Sequence, residues 1–370
     1  RKYTRRTERQ MKNYTFEHID TKRWGIGNYP AGMMKGDGGD IMVDAGAYVL
    51  STSDYGDTWT EIRDGRRRGN FTRLADGSYI SPGFHSVVNF DFDVETQEKI
   101  PFVLRIARAE NFDVLRAGTA QCEYCSVDIP DLAVGFGDSE DKKNYHTGSV
   151  DHGVIQLENG DIIMTMYGQF KSDRSKLEYF KNYDFYQYRS WCLISHDNGH
   201  TFEYLSTIAD CQTYPIADAE GYCEPDLLCL GNGHILAAIR TQGHEVYTPM
   251  FFSHSYDSGK TWSKPEVLNP YGVLPRLIRL ENGAIVCASG KWDTFMQISG
   301  DEGYTWSKPF IVAENDGQWD RGPSGYVSIF ETRPNEILIV YDTTEDKVSD
   351  DIKLGERRIV YMSRYRVVEK

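Results

Sequence analysis

One phrase recurs along the chain: an apolar segment, a turn rich in Asn, Asp and Gly, then a second apolar segment. Its six copies are AGMMKGDGGDIMV from Ala31, NFTRLADGSYISPG from Asn70, GVIQLENGDIIMTMYG from Gly153, PDLLCLGNGHILAAIR from Pro225, PRLIRLENGAIVCASG from Pro275 and YVSIFETRPNEILIVYD from Tyr326. Turn residues that tolerate left-handed backbone, set between β-branched and aromatic runs, predict a β-hairpin each time. A hairpin cannot bury its own faces, so a repeat of this kind must stack against its neighbours.

A second phrase follows four of the six hairpins, with the pattern Ser/Thr-x-Asp-x-Gly-x-Thr-Trp/Phe. The copies run Thr52 to Trp59, Ser195 to Phe202, Ser255 to Trp262 and Ser299 to Trp306. The spacing predicts a folded turn in which Asp caps backbone donors, Gly takes a positive φ and the aromatic ring packs back between strands. Each hairpin leaves room for two more strands, and no stretch carries a convincing helical period. The expectation is an all-β, six-bladed β-propeller of four-stranded antiparallel blades, one domain over residues 1–370. Its blades run approximately 28–65, 66–148, 149–219, 220–271, 272–320 and 321–370. The strand YTFEHID at Tyr14 to Asp20 pairs with the C-terminal RRIVYMSRYRVVEK to close the ring and remove exposed edges. Long connections after the second hairpin (85–149) and after Tyr167 are read as rim insertions.

Composition narrows the function. With 41 basic and 55 acidic side chains the net charge is −14, which repels phosphate backbones and argues against a nucleic-acid partner. No run approaches the 18 or so apolar residues of a membrane span. Seven cysteines, an odd number with a single CxxC at Cys122 and Cys125, do not form a disulfide framework or a finger spacing and read as structural thiols. The chain starts at Arg1 rather than Met, read as a trimmed or processed end that tilts the setting toward extracellular or periplasmic, with compartment open.

The four turn phrases resemble the Asp boxes of the sialidase (neuraminidase) superfamily, whose fold is a six-bladed propeller, and the resemblance runs over essentially the whole chain. GYCEPDLLCLGNGHILAAIRTQG with SYDSGKTWSKP, and SGYVSIFETRPNEILIVYD, resemble the fourth and sixth blades of such enzymes. The resemblance implies Glu224 as the base, Arg240 as one arginine of a carboxylate-binding triad and Tyr326 as nucleophile. A sugar bearing a carboxylate beside its anomeric carbon repels an acidic nucleophile, so a tyrosine hydroxyl deprotonated by a neighbouring Glu attacks instead. Arginines suit the substrate carboxylate because the guanidinium fork pairs with it. The first triad arginine has no counterpart, since Asn28-Tyr29-Pro30 stands where the family has an Arg-Ile-Pro type phrase; Arg23 or one of Arg66, Arg67 and Arg68 is a substitute without support from spacing.

Propeller geometry brings the starts of the inner strands and the ends of the second strands to one mouth of the central channel, where ligand sites form. That rule gathers Asn28, Tyr29 and Asp44; Asn70 and His85; Asp151, His152 and Tyr167; Glu224 and Arg240; Arg276 and Lys291; and Tyr326 and Asp342. Asp44 stands about where the family keeps its general acid, and Asp151 with His152 competes for proton transfer. Arg276 and Lys291 are alternatives for the third cation, with Tyr167 and Asn28 as further substrate contacts. A buried ion pair for Glu224 and Arg240 and a core role for Tyr326 remain open. The expected activity is an exo-acting glycoside hydrolase that releases a terminal, acidic sugar from a glycan or oligosaccharide, with no metal or organic cofactor. The alternatives are a propeller glycosidase or polysaccharide lyase for rhamnose, arabinose or a uronic acid, and a non-catalytic glycan-binding propeller.

Overall fold

The computed structural model describes residues 12–82, 87–88, 102–132, 148–149, 153–175, 187–217, 219–241, 248–291, 293–315, 322–344 and 358–370. They form 26 strands and one short helix, Phe112–Ala117, so the fold is all-β. All six hairpins of the repeat are antiparallel pairs, from Gly32–Lys35 with Ile41–Asp44 to Ser328–Arg333 with Glu336–Thr344.

The sheets differ in one respect from six separate units. Four are four-stranded, whereas the strands of residues 72–128 and 148–209 form a single ten-stranded sheet. The join is a short parallel contact between Gln121–Asp128 and Thr201–Ala209, with Ser126 opposite Thr201 and Asp128 opposite Glu203. Two outer strands that meet side by side satisfy their free backbone groups on each other, which no local pattern announces. The connection after the second hairpin is correspondingly not a plain insertion. It supplies the outer strands Phe102–Ala109 and Gln121–Asp128 and the helix, capped by Asn111 at its start and by Gly118, φ 64°, at its end.

Packing follows from the two-residue period of each strand. In His234–Thr241, Ile235, Ala237 and Ile239 pack against the preceding hairpin, while Leu236 and Ala238 face the next one. Both faces are therefore buried, which is why the strands are almost continuously apolar. Six core clusters lie between successive hairpin units, and the last unites Ile41, Val43 and Leu50 with Phe330, Leu338 and Val360, so the first unit packs on the sixth. Tyr14–Ile26 pairs along Arg358–Glu369 from Tyr14 opposite Glu369 to Ile26 opposite Ile359, covering the edge of the final sheet.

The four turns share one hydrogen-bond pattern. At Ser255 to Trp262, Ser255 Oγ donates to Asp257 Oδ1 (2.9 Å), Gly259 N donates to Ser255 Oγ (2.8 Å), and Thr261 donates through N and Oγ1 to the two Asp257 oxygens (2.8 and 2.6 Å). The turns at Asp54, Asp197 and Asp301 repeat it. Burial would raise the Asp197 and Asp257 carboxyls, but the hydrogen bonds from Thr201 and Thr261 outweigh it and hold both below the ordinary value of 3.8. A lowered folded value stabilises the fold above the unfolded value and is lost as pH falls below it. Asp257→Ala is expected to lower the unfolding free energy by about 1–2 kcal/mol at neutral pH. In urea titrations the difference from wild type should shrink below pH 3.8; a difference that stays constant down the acid range contradicts this account.

Candidate active site

A pocket of about 530 Å³ opens where the hairpin ends converge. Its walls are Tyr29, Ala31 and Gly32 from the first unit, Arg67, Gly69 and Asn70 before the second, Arg240, Val273 and Lys291 from the fourth and fifth, and Pro323, Ser324, Tyr326 and Arg358 from the sixth. Four of these side chains are cationic and none of these thirteen is a carboxylic acid.

Glu224 lies against this pocket, 5% exposed. Its Oε1 accepts from Arg240 Nη1 and from the Tyr326 hydroxyl, the latter at 3.2 Å, and its Oε2 accepts from Leu274 N at 3.1 Å. One carboxylate thus binds a guanidinium, a phenol and the backbone of the next unit. Burial works against the charge of Arg240, but the Glu224 carboxylate beside it prevails and keeps the guanidinium firmly protonated. Burial, reinforced by Arg240, lowers Lys291. The Tyr326 ring packs edge-on against Tyr29, with centroids 5.3 Å apart, and its own N–H is held by Ser324 Oγ at 3.2 Å.

Two more lining arginines are held from behind in the same way. Arg67 Nε lies 2.9 Å from Asp44 Oδ1, and Arg358 Nη1 lies 3.2 Å from Asp342 Oδ1. Asp342 is fully buried and also accepts from Tyr29 N (2.6 Å) and Ser324 N (2.9 Å); burial raises its carboxyl.

Backbone strain points to the same place. Ten non-glycine residues among those described have positive φ. Four sit in the repeated turns (Tyr55, Asn198, Ser258, Glu302) and two in hairpin turns (Asn232, Asn335). The other four are Tyr29 (φ 48°), Glu224 (43°), Leu274 (42°) and Lys291 (62°), all at this site. Strain of this kind persists only where surrounding contacts over-determine it, and it concentrates where side chains must be aimed.

The remaining sequence candidates are placed differently. Asp44 is fully buried and outside the lining. Its oxygens accept from Gly46 N, Arg67 Nε, Arg68 N and Gly69 N, and it shapes the 66–69 segment. Arg276 is 5% exposed and runs behind the wall, donating to Ala31 O. The Asn70 amide satisfies both neighbours when its nitrogen donates to Met33 O (3.0 Å) and its oxygen accepts from Arg276 Nη1 (3.2 Å). Arg276 therefore ties the fifth unit to the first two. Beside it, burial raises Asp226 to about 6 against the pull of Arg276, and Asp226 Oδ2 accepts from Leu277 N at 2.7 Å. Asn28 bonds back to Ala45 O (3.1 Å), and Tyr167 packs edge-on against Tyr188 with centroids 5.5 Å apart; neither lines the pocket. His85, Asp151 and His152 lie outside the described residues. Arg358 was missed because it begins a strand outside the repeated hairpin; the pairing of Thr344 with Arg358 carries it to the mouth.

Breaking the Arg240 and Glu224 pair strands a buried charge. Arg240→Met is expected to destabilise the protein by about 3–5 kcal/mol, and Arg240→Met with Glu224→Gln to regain most of it. Urea unfolding of the two variants checks this; equal loss in both contradicts it.

Residues 139–273 match the BNR repeat-like domain family. No curated protein matches the chain by sequence. Among solved structures, a protein of unknown function from Dyadobacter fermentans is 14% identical, with a TM-score of 0.65 over 95% of this chain and 99% of its own. An α-L-arabinanase of Penicillium chrysogenum, complexed with arabinobiose, is 14% identical, with a TM-score of 0.56 over 95% of this chain and 99% of its own. The Hadza microbial sialidase Hz136 is 13% identical, with a TM-score of 0.52 over 93% of this chain and 66% of its own. The likeness to the sialidase superfamily read from the turns thus extends to a BNR repeat-like match and to a fold shared with sialidase and arabinanase structures.

Proposed function

We propose that the chain is a six-bladed propeller and an exo-acting glycoside hydrolase that releases a terminal acidic sugar. The closed circle of six core clusters supports the six blades, with the ten-stranded sheet read as two blades joined at their outer strands. One observation carries the activity: the Tyr326 hydroxyl donates to a carboxylate at the edge of a cation-lined pocket. Glu224 takes the phenolic proton as the oxygen attacks the anomeric carbon. Tyrosine suits this attack because a neutral hydroxyl meets an anionic sugar without repulsion, and Arg240 holds the Glu224 side chain that receives the proton in place. The substrate carboxylate is held by Arg240, Lys291 and Arg358. This clamp substitutes Arg358 and Lys291 for Arg276, which is committed to Ala31 and Asn70. The proton for the leaving group comes from Asp151 or His152, since Asp44 is filled by its own donors.

A second reading has one observation in its favour. Four cations and no carboxylic acid among the described lining residues also suit a uronate lyase, in which the cations neutralise the sugar carboxylate and Tyr326, its own proton passed to Glu224, removes the adjacent proton as the C–O bond to the leaving sugar breaks. The two separate by product. Screening against terminal-sugar aryl glycosides, sialosides and uronides included, is expected to show release of a saturated acidic sugar, and an unsaturated uronide in its place selects the lyase. Tyr326→Phe is expected to lower kcat by at least about a hundred-fold while the pocket still binds the sugar. Wild-type turnover in that variant ends the tyrosyl mechanism.

A further inference from the structure

A second pocket of about 510 Å³ adjoins the first, sharing Arg67, Gly69 and Asn70 with it. It is formed by the second unit, from residues 67–71 and Ser81 on one side and residues 105–122 on the other. On one face of Phe102–Ala109, Leu104 and Ile106 fill the core toward the third unit. On the other face the pocket is walled by Ala107, with Gly118, Ala120 and Cys122 beyond it, so the space is left open by small residues. An open space this large forfeits contacts that larger side chains would make.

Among the described residues its charged lining is entirely basic: Arg67, Arg68 and Arg105, with no acidic residue in the wall. Arg105 is exposed and donates from Nη2 to Cys122 Sγ at 3.1 Å. Arg68 is 4% exposed; its terminal nitrogens reach Asp64, but its Nε is a buried donor with no acceptor among the described residues. Arg67 is fixed only through Nε, by Asp44, and its terminal nitrogens make no hydrogen bond among the described residues. A guanidinium anchored by one edge presents its outer edge to an anion on either side.

We propose that this second pocket binds an anionic sugar unit next to the one that is cleaved. The substrate is then an acidic oligosaccharide with carboxylate or sulfate on two neighbouring units, and Arg67 bridges the two charges. The proposal rests on the glycan-binding reading of the first pocket and adds the second charge. Two pockets of this size each suit about one or two sugar rings, and a shared wall lets one chain lie across both.

Cys122 supplies a readout independent of activity, because it is exposed while the other cysteines are buried or half-buried. Trigalacturonate and neutral arabinotriose are titrated into Tyr326→Phe protein and into Tyr326→Phe with Arg105→Gln. Iodoacetamide labelling of Cys122 is timed in each, with the ligand-free rate of the same variant as reference. The expected result is binding of trigalacturonate over arabinotriose, slowed Cys122 labelling, and a loss of affinity of about tenfold or more with the Arg105 change. Equal binding of the two trisaccharides, unprotected Cys122, or affinity indifferent to Arg105 overturns the second subsite. A sulfated trisaccharide run alongside separates sulfate from carboxylate. If trigalacturonate binds and protects Cys122 while the wild type turns over no glycoside, the subsite stands and the hydrolase reading falls. If aryl glycosides are hydrolysed while Cys122 stays unprotected, the reverse holds.

Discussion

Three buried carboxylates stand behind three arginines at the pocket: Glu224 behind Arg240, Asp44 behind Arg67 and Asp342 behind Arg358. Each carboxylate also accepts backbone N–H groups from a neighbouring segment, such as Leu274 N, Gly69 N or Ser324 N. The same atoms therefore hold the units together and aim the cations. In the Glu224 and Arg240 pair, where both partners are buried, removing either would strand a charge where water cannot reach it, so the arrangement is coupled to the packing around it.

This arrangement bears on the overall charge. A net charge of −14 sets a field that opposes an anionic glycan at long range. At short range the buried carboxylates face inward and the arginines and Lys291 face the cavity, so a ligand meets cations first. Screening by salt confines the opposing field to within about 10 Å of exposed charges, whereas a ligand inside the pocket lies closer than that to the cations. An acidic chain and an acidic substrate are compatible for this reason.

Much of the architecture was legible in the sequence because it is local. The hairpins are written as two-residue periods around Asx-Gly turns, and the four Ser/Thr-x-Asp-x-Gly-x-Thr turns close through contacts within eight residues. The inner-strand rule also gathered Glu224, Arg240 and Tyr326, which are in contact. Other features were illegible for physical reasons. Asp44 and Arg276 sit at mouth positions by count, yet hydrogen bonds to Gly69 and Ala31 turn their side chains into the wall. Arg67 and Arg358 precede or begin strands outside the repeated hairpins, and no period points at them. The parallel join of residues 126–128 to 201–203 is a three-residue contact between distant segments, without a pattern of its own.

What the sequence by itself determined is the set of building units and their alternating faces, because strand period and turn chemistry are properties of adjacent residues. Which charges look into the cavity was decided only by the tertiary structure. A side chain at the end of a strand turns toward the pocket or the wall according to the donors and acceptors that neighbouring units bring to it, as with Asp44 and Arg67. Those partners lie up to 313 residues apart, as Tyr29 and Asp342 do, and only the packing of one unit on the next brings them together.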